Sequence, residues 1–157
     1  MLSQMFGRFF GGRPTIIHAP PPPISAAPGD VVINTTKTPF TPKGYKVHFH
    51  ESQGVLVMRP EDLTQMVRER AHTAFYDQLR KPPMSASILD FLLEHPELIP
   101  TDPTIRGFYF RDTLYIEKGY KGGLSYPYYV RSLFRDERGK WKADIVWGDP
   151  DWGPMGY

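Results

Sequence analysis

The chain has no cysteine, so neither a disulfide framework nor a thiolate nucleophile is open to it, and its 157 residues fold on packing and hydrogen bonds alone. Acidic residues are missing from residues 1–29, the first being Asp30. No run of 18 apolar residues occurs, so no segment has the length and polarity of a membrane-crossing helix. Catalytic signatures are lacking too. The glycines of 119–123 (GYKGG) have no GK[ST] after them and open no helix, so they do not form a phosphate cradle. The GxxG within that stretch has β-like flanks, whereas a KH loop joins two helices.

An excess of one charge is also missing from most of the chain. Residues 1–42 carry Arg8, Arg13 and Lys37 against Asp30, whereas residues 43–157 hold 16 basic and 16 acidic side chains. A neutral body does not carry the electrostatic footprint of a nucleic-acid binder, so nucleic acid is not an expected partner.

What the chain has in abundance is proline, with 17 residues, and aromatic side chains, at 14%. Thirteen of the 22 aromatics lie from Phe108 onward, and they supply much of the buriable area. A chain of this length suits one domain that buries about two-thirds of its unfolded surface. The expected fold class is α+β: a small single domain with a β-hairpin, two helices and a C-terminal antiparallel β-meander, preceded by an extended Pro-rich arm. The three parts are the arm at 1–42, the body at 43–147 and an irregular aromatic tail at 148–157.

In the arm, Arg8 and Arg13 stand among Leu2, Met5, Phe6, Phe9 and Phe10 with no carboxylate. That composition has the character of a mitochondrial targeting segment or of a membrane-surface contact through residues 1–13. Gly7, Gly11 and Gly12 oppose it, each weakening a helix by about 1 kcal/mol relative to alanine, and the competing reading is a tail docked on an interface. Pro20, Pro21, Pro22 and Pro23 impose a stiff polyproline II spacer, which an aromatic-lined groove of the SH3 or WW kind also accepts. The rest of the arm offers one short strand, Val31–Asn34. An arm of this sort either stays disordered or finds its backbone partners on a neighbouring surface.

In the body, Tyr45–His50 alternates polar and apolar residues, 51–54 (ESQG) reads as a turn, and Val55–Met58 returns, which predicts a hairpin. Strict alternation puts His48 and His50 on one face with Glu51 beside them. These are candidate metal ligands, or simply the solvent side of a sheet, since zinc needs a third and usually a fourth ligand. Pro60 opens a helix whose apolar stripe of Leu63, Met66, Val67, Ala71, Ala74 and Phe75 extends to Leu79. Ser85 or Ser87 caps a second helix that is apolar on several sides. In the meander, 106–110 and 113–118 form two strands or one kinked strand around Arg111 and Asp112. Residues 126–135 are expected to be the longest strand, and the last strand places Trp141, Ala143, Ile145 and Trp147 on one face.

The expected function is that of a non-enzymatic structural or accessory subunit of a large multiprotein assembly, most readily a membrane-associated mitochondrial one, with other protein subunits as partners. Docking is assigned to Phe6, Phe9, Phe10, Pro20, Pro21, Pro22, Pro23, Trp152 and Tyr157, because aromatic and proline side chains add contact area at modest entropic cost. No cofactor is implied. Localisation is expected to be mitochondrial on the acid-free start, otherwise cytoplasmic. The alternatives are a carbohydrate- or peptide-binding module using Tyr126, Tyr128, Tyr129, Trp147 and Trp152, a virion structural protein, and a small metal-dependent hydrolase built on His48, His50 and Glu51 or on the Asp149/Asp151 pair.

Overall fold

The computed structural model describes residues 26–71 and 82–148. Within them the order is β1 (Val31–Asn34), β2 (Tyr45–His50), β3 (Val55–Met58), α1 (Pro60–Glu69), α2 (Ala86–Glu94), a 3-10 turn at Pro96–Leu98, β4 (Gly107–Glu117), β5 (Tyr128–Arg135) and β6 (Trp141–Trp147). All strand pairings are antiparallel: a two-stranded sheet β1-β3 and a four-stranded sheet in the order β2-β4-β5-β6. The molecule is therefore α+β, with the meander at its centre.

The predicted hairpin does not form. β2 pairs with β4 and β3 pairs with β1, so the chain crosses from one sheet to the other at 51–54. Thr35 is the reason. Its N–H and its hydroxyl both donate to the Gly54 carbonyl, at 2.9 and 2.6 Å, and its Oγ1 accepts the Gln53 N–H at 2.8 Å. A buried residue from the supposed arm thus satisfies the polar groups that a hairpin turn would have paired within itself. Gly54 adopts φ +77°, a left-handed conformation that glycine reaches without strain.

Each helix follows its local chemistry. Pro60 occupies the first turn of α1, Glu61 and Asp62 complement its positive end, and Arg59 pairs with Asp62 at 3.0 Å. Leu63, Val67 and Ala71 are buried at intervals of four, as the stripe predicts; its continuation to Leu79 lies outside the described residues. Ser85 caps α2 by accepting the Ser87 N–H at 2.9 Å. Ala86, Ser87, Ile88, Leu89 and Leu92 are then all buried, while Leu93 is exposed.

α2 lies on the face of the sheet that carries Phe108, Phe110 and Leu133. Together with Val31, Ile33, Leu63, Val67, Met84 and Ile99 these residues form the main core, against which Trp141 packs. The longest strand is β4, with 11 residues, rather than 126–135; β5 begins only at Tyr128, because Pro127 has no N–H to give to a ladder. β4 is one strand with an irregularity between Phe110 and Tyr115. There the Asp112 N–H donates to the Met84 carbonyl at 2.9 Å, and the Asp112 carbonyl accepts the Glu51 N–H at 2.8 Å.

The boundary at residue 42 also moves. Val31, Ile33 and Thr35 are buried, and Phe40 is held from three sides. Its N–H donates to Asp90 Oδ2 at 2.8 Å, its carbonyl accepts the Tyr115 hydroxyl at 2.8 Å, and its ring lies 5.0 Å from the Arg131 guanidinium carbon. Arg131, 4% exposed, pairs with Asp90 Oδ1 at 2.6 Å. The partner of the arm's second half is this chain's own body.

A chain starting at Ala26 therefore keeps every contact described above, whereas one starting at Lys43 loses two buried aliphatics, each contributing about 1.5–3 kcal/mol. The first should melt within a few degrees of the full chain and the second should show no cooperative transition by circular dichroism. Arg131→Met should destabilise the fold by about 3 kcal/mol in urea titrations, since Asp90 is left without its cation. Adding Asp90→Asn should return part of that loss.

Candidate functional site

Strict alternation in β2 would put His48 and His50 on one side, but β2 is bulged between Val47 and Phe49. Val47 stands opposite Tyr115 and Phe49 opposite Leu114, so the strand changes phase at His48. The His48 ring stacks on Tyr128 with centroids 4.8 Å apart, on the outer side of the sheet. His50 points the other way, its Nε2 donating to the Thr35 carbonyl at 2.7 Å and its Nδ1 lying 3.0 Å from Thr113 Oγ1. That hydroxyl accepts the Ala86 N–H at 3.0 Å, which leaves its proton for Nδ1. Both ring nitrogens are thus engaged on one tautomer. The metal reading of His48, His50 and Glu51 is corrected accordingly: the two rings do not converge, and among the described residues no group of three His, Cys, Asp or Glu side chains does.

His50 instead belongs to a polar knot with Thr35, Thr113, Gln53 and Asp112. Gln53 Nε2 donates to Asp112 Oδ2 at 3.2 Å. Burial pushes the Asp112 carboxyl up to about 6; the Glu51 charge acts in the same sense, and Arg111, His50 and Arg70 oppose it. The knot joins the segment before β2, β2 itself, the β4 irregularity and the start of α2 through side-chain hydrogen bonds.

Among the described residues, the surface left open is the other side of the sheet. Tyr109 and Val130 are buried there beneath Leu114, Phe134 and Val146, a second cluster to which no described helix contributes. Burial pushes the Tyr109 phenol up to about 12. Beside the cluster runs a row of rings: His48 on Tyr128, Tyr128 against Tyr126 at 4.9 Å, and Tyr126 against Trp147 at 6.4 Å. Trp147 Nε1 donates to the Tyr126 carbonyl at 3.0 Å, which fixes the ring at the margin of the sheet. Phe49 and Trp147 are 48% and 47% exposed.

A shallow groove of about 450 Å³ continues from this row between β5 and β6, lined by Tyr109, Ser132, Phe134, Lys142, Asp144, Val146 and Trp147 and closed at one end by Arg135 and Asp136. Its carboxylates are occupied by backbone. The Lys140 N–H, with that of Arg138, holds the Asp136 carboxyl below its ordinary value, and Asp144 Oδ1 accepts the Ile145 N–H at 2.8 Å. The groove can take up apolar and hydrogen-bonding groups, and one oxygen of each acid is engaged by backbone N–H.

Of the residues expected to dock partners, Phe6, Phe9, Phe10, Pro20, Pro21, Pro22, Pro23, Trp152 and Tyr157 all lie outside the described residues, as do Asp149 and Asp151. Tyr126, Tyr128 and Trp147 are brought together; Tyr129 is not, because it faces Tyr45 on the inner side at 5.0 Å. His48 and Phe49 on this face were missed as docking residues, since only the bulge reveals which way they point. Family models give no match to this chain, and searches of curated proteins and of solved structures return no similar protein.

The raised Asp112 value carries a sign. Between about 4 and 6 the folded state holds a proton that the unfolded chain has released, so this group's contribution to stability is complete below its unfolded value and is lost as pH rises through about 6. Relative to Asp112→Asn, the wild-type chain should lose about 2–3 kcal/mol between pH 4 and pH 7 in urea titrations, groups common to both proteins cancelling.

Proposed function

We propose that this chain is a non-enzymatic subunit of a larger protein assembly and that it docks a protein partner on the outer face of its four-stranded sheet. The observation that carries this reading is the apolar and aromatic character of a sheet face that no described helix covers. Phe49, Tyr128 and Tyr126 border the cluster on Tyr109 and Val130 there, and Trp147, which the ladder sets opposite the inward-facing Tyr129, meets Tyr126 from the margin of the sheet. Protein interfaces concentrate aromatic side chains at their centre and leave charges to the rim, and here Lys142, Asp144 and Arg135 stand at one side of the patch. The membrane-associated mitochondrial part of the proposal rests on the acid-free, arginine-containing residues 1–13 alone.

A carbohydrate platform fits less well. Tyr126 meets both Tyr128 and Trp147 at 89°, so the rings present alternating edges and faces rather than one flat surface on which a sugar stacks. A protein surface accommodates such relief through interdigitating side chains.

The test is native purification of the full chain from its source cell. Phe49→Asp puts a charge into the patch at an exposed position, and Leu93→Asp does the same on α2, on the opposite side. Phe49→Asp should leave the melting temperature within a few degrees and lose the co-purifying subunits, while Leu93→Asp keeps them. Retention of every partner by Phe49→Asp would overturn the assignment.

A further inference from the structure

We infer that the edge of β6, which no described strand occupies, pairs with β6 of a second copy of this chain, antiparallel and centred on Ala143, so that the two four-stranded sheets become one. The argument starts from which backbone groups that edge presents. Gly148 N–H donates to the Tyr128 carbonyl and Asp136 N–H to the Lys140 carbonyl, each at 2.8 Å. These two bonds fix the alternation of the ladder between β5 and β6, whose register runs without a shift from Tyr129↔Trp147 to Arg135↔Trp141. Lys142, Asp144 and Val146 are therefore bonded to β5, and the N–H and C=O of Trp141, Ala143, Ile145 and Trp147 point away from it. The Asp144 side chain confirms the direction by reaching round to the outward Ile145 N–H.

Such an edge invites another strand unless something blunts it. The opposite edge of the sheet is blunted, since β2 carries its bulge at His48. β6 has no bulge and no proline, and Lys142, Ala143, Asp144 and Trp147 are exposed along it. Side-chain chemistry then selects a second copy over an unrelated strand. Centred on Ala143, the pairing sets Lys142 opposite Asp144 of the second copy, twice by symmetry. It sets Trp141 opposite Ile145, also twice, and puts the smallest side chain of the strand on the two-fold axis. Ile145 N–H then donates to the Trp141 carbonyl of the second copy, which frees Asp144 for the facing lysine.

The neighbouring registers are excluded by charge. Centring the pair on Lys142 opposes two lysines, and centring it on Asp144 opposes two aspartates; like charges directly across a pair are destabilising. This contact uses the backbone edge of β6 rather than the outer face, although Lys142 and Asp144 border both. Self-association of the purified chain reads the edge alone and co-purification of other subunits reads the face, so either assignment can fail without the other.

The experiment is sedimentation velocity on the full chain over a micromolar to millimolar concentration series. The wild-type chain should dimerise reversibly. Lys142→Asp and Asp144→Lys should each weaken dimerisation by about tenfold or more, because each sets like charges opposite at two places. The double variant K142D/D144K should restore it. Mixing the two single variants should produce a heterodimer, since every facing pair is then of opposite sign. That result separates pairing at this edge from any general effect on the fold. A wild-type chain that stays monomeric across the series, or a dimer indifferent to both charge reversals, would overturn the inference.

Discussion

Strand β4 cannot be satisfied along its whole length by its two neighbours, and the fold is arranged around the place where its ladder breaks. It lies between β2 and β5, and seven of its eleven residues are buried, so its N–H and C=O groups need partners. At Asp112 the ladder yields on one side: its carbonyl still accepts from Glu51, just past the end of β2 and in that ladder's register, while its N–H goes to Met84 on the approach to α2. The next residue, Thr113, takes the Ala86 N–H and meets His50, whose other nitrogen reaches Thr35. One interruption thus ties the start of α2, the end of β2 and the strand that precedes the body into a single knot.

The main core depends on that knot because it places α2 over Phe108, Phe110 and Leu133 and brings Val31 and Ile33 in from the chain's first half. The buried Arg131 acts in the same direction from β5. Its bond to Asp90 and its position under the Phe40 ring hold α2 and the incoming segment against the same face. With both helices' apolar stripes directed to that side, the second face of the sheet is left with its own small cluster and a row of rings. A sheet with one helix-covered face and one aromatic face, and with one blunted edge and one regular edge, has its surfaces differentiated by construction. The face suits a broad partner surface, and the regular edge suits a strand.

Much of the architecture was legible from local chemistry. Pro60 with its acidic first turn, Ser85 before an apolar run and the alternation in β6 are all decided within a few residues, and they fold as read. The core stripe of α1 is of the same kind as far as Ala71. The hairpin was misread because alternation reports that a segment is a half-buried strand but says nothing about which strand it meets. The histidine pair was misread because a bulge shifts the phase of every residue beyond it, and no side chain in 45–50 announces one. Tyr126, Tyr128 and Trp147 were named only as part of an alternative ligand groove, and Phe49 became visible as a surface group only once its direction was set.

By itself, then, the sequence determined the kinds of element, their order and most of their limits, since caps, turns, proline positions and periodicity act over distances of a few residues. It also determined that no thiol chemistry is available and that the body carries no net charge to draw a polyanion. The tertiary structure alone decided the pairing of β1 with β3 and β2 with β4, the burial of Thr35 and Arg131, and the side of the sheet on which each ring stands. Those outcomes depend on where polar groups far apart in the chain find one another as partners, a competition settled by the whole packed arrangement rather than by any stretch of it.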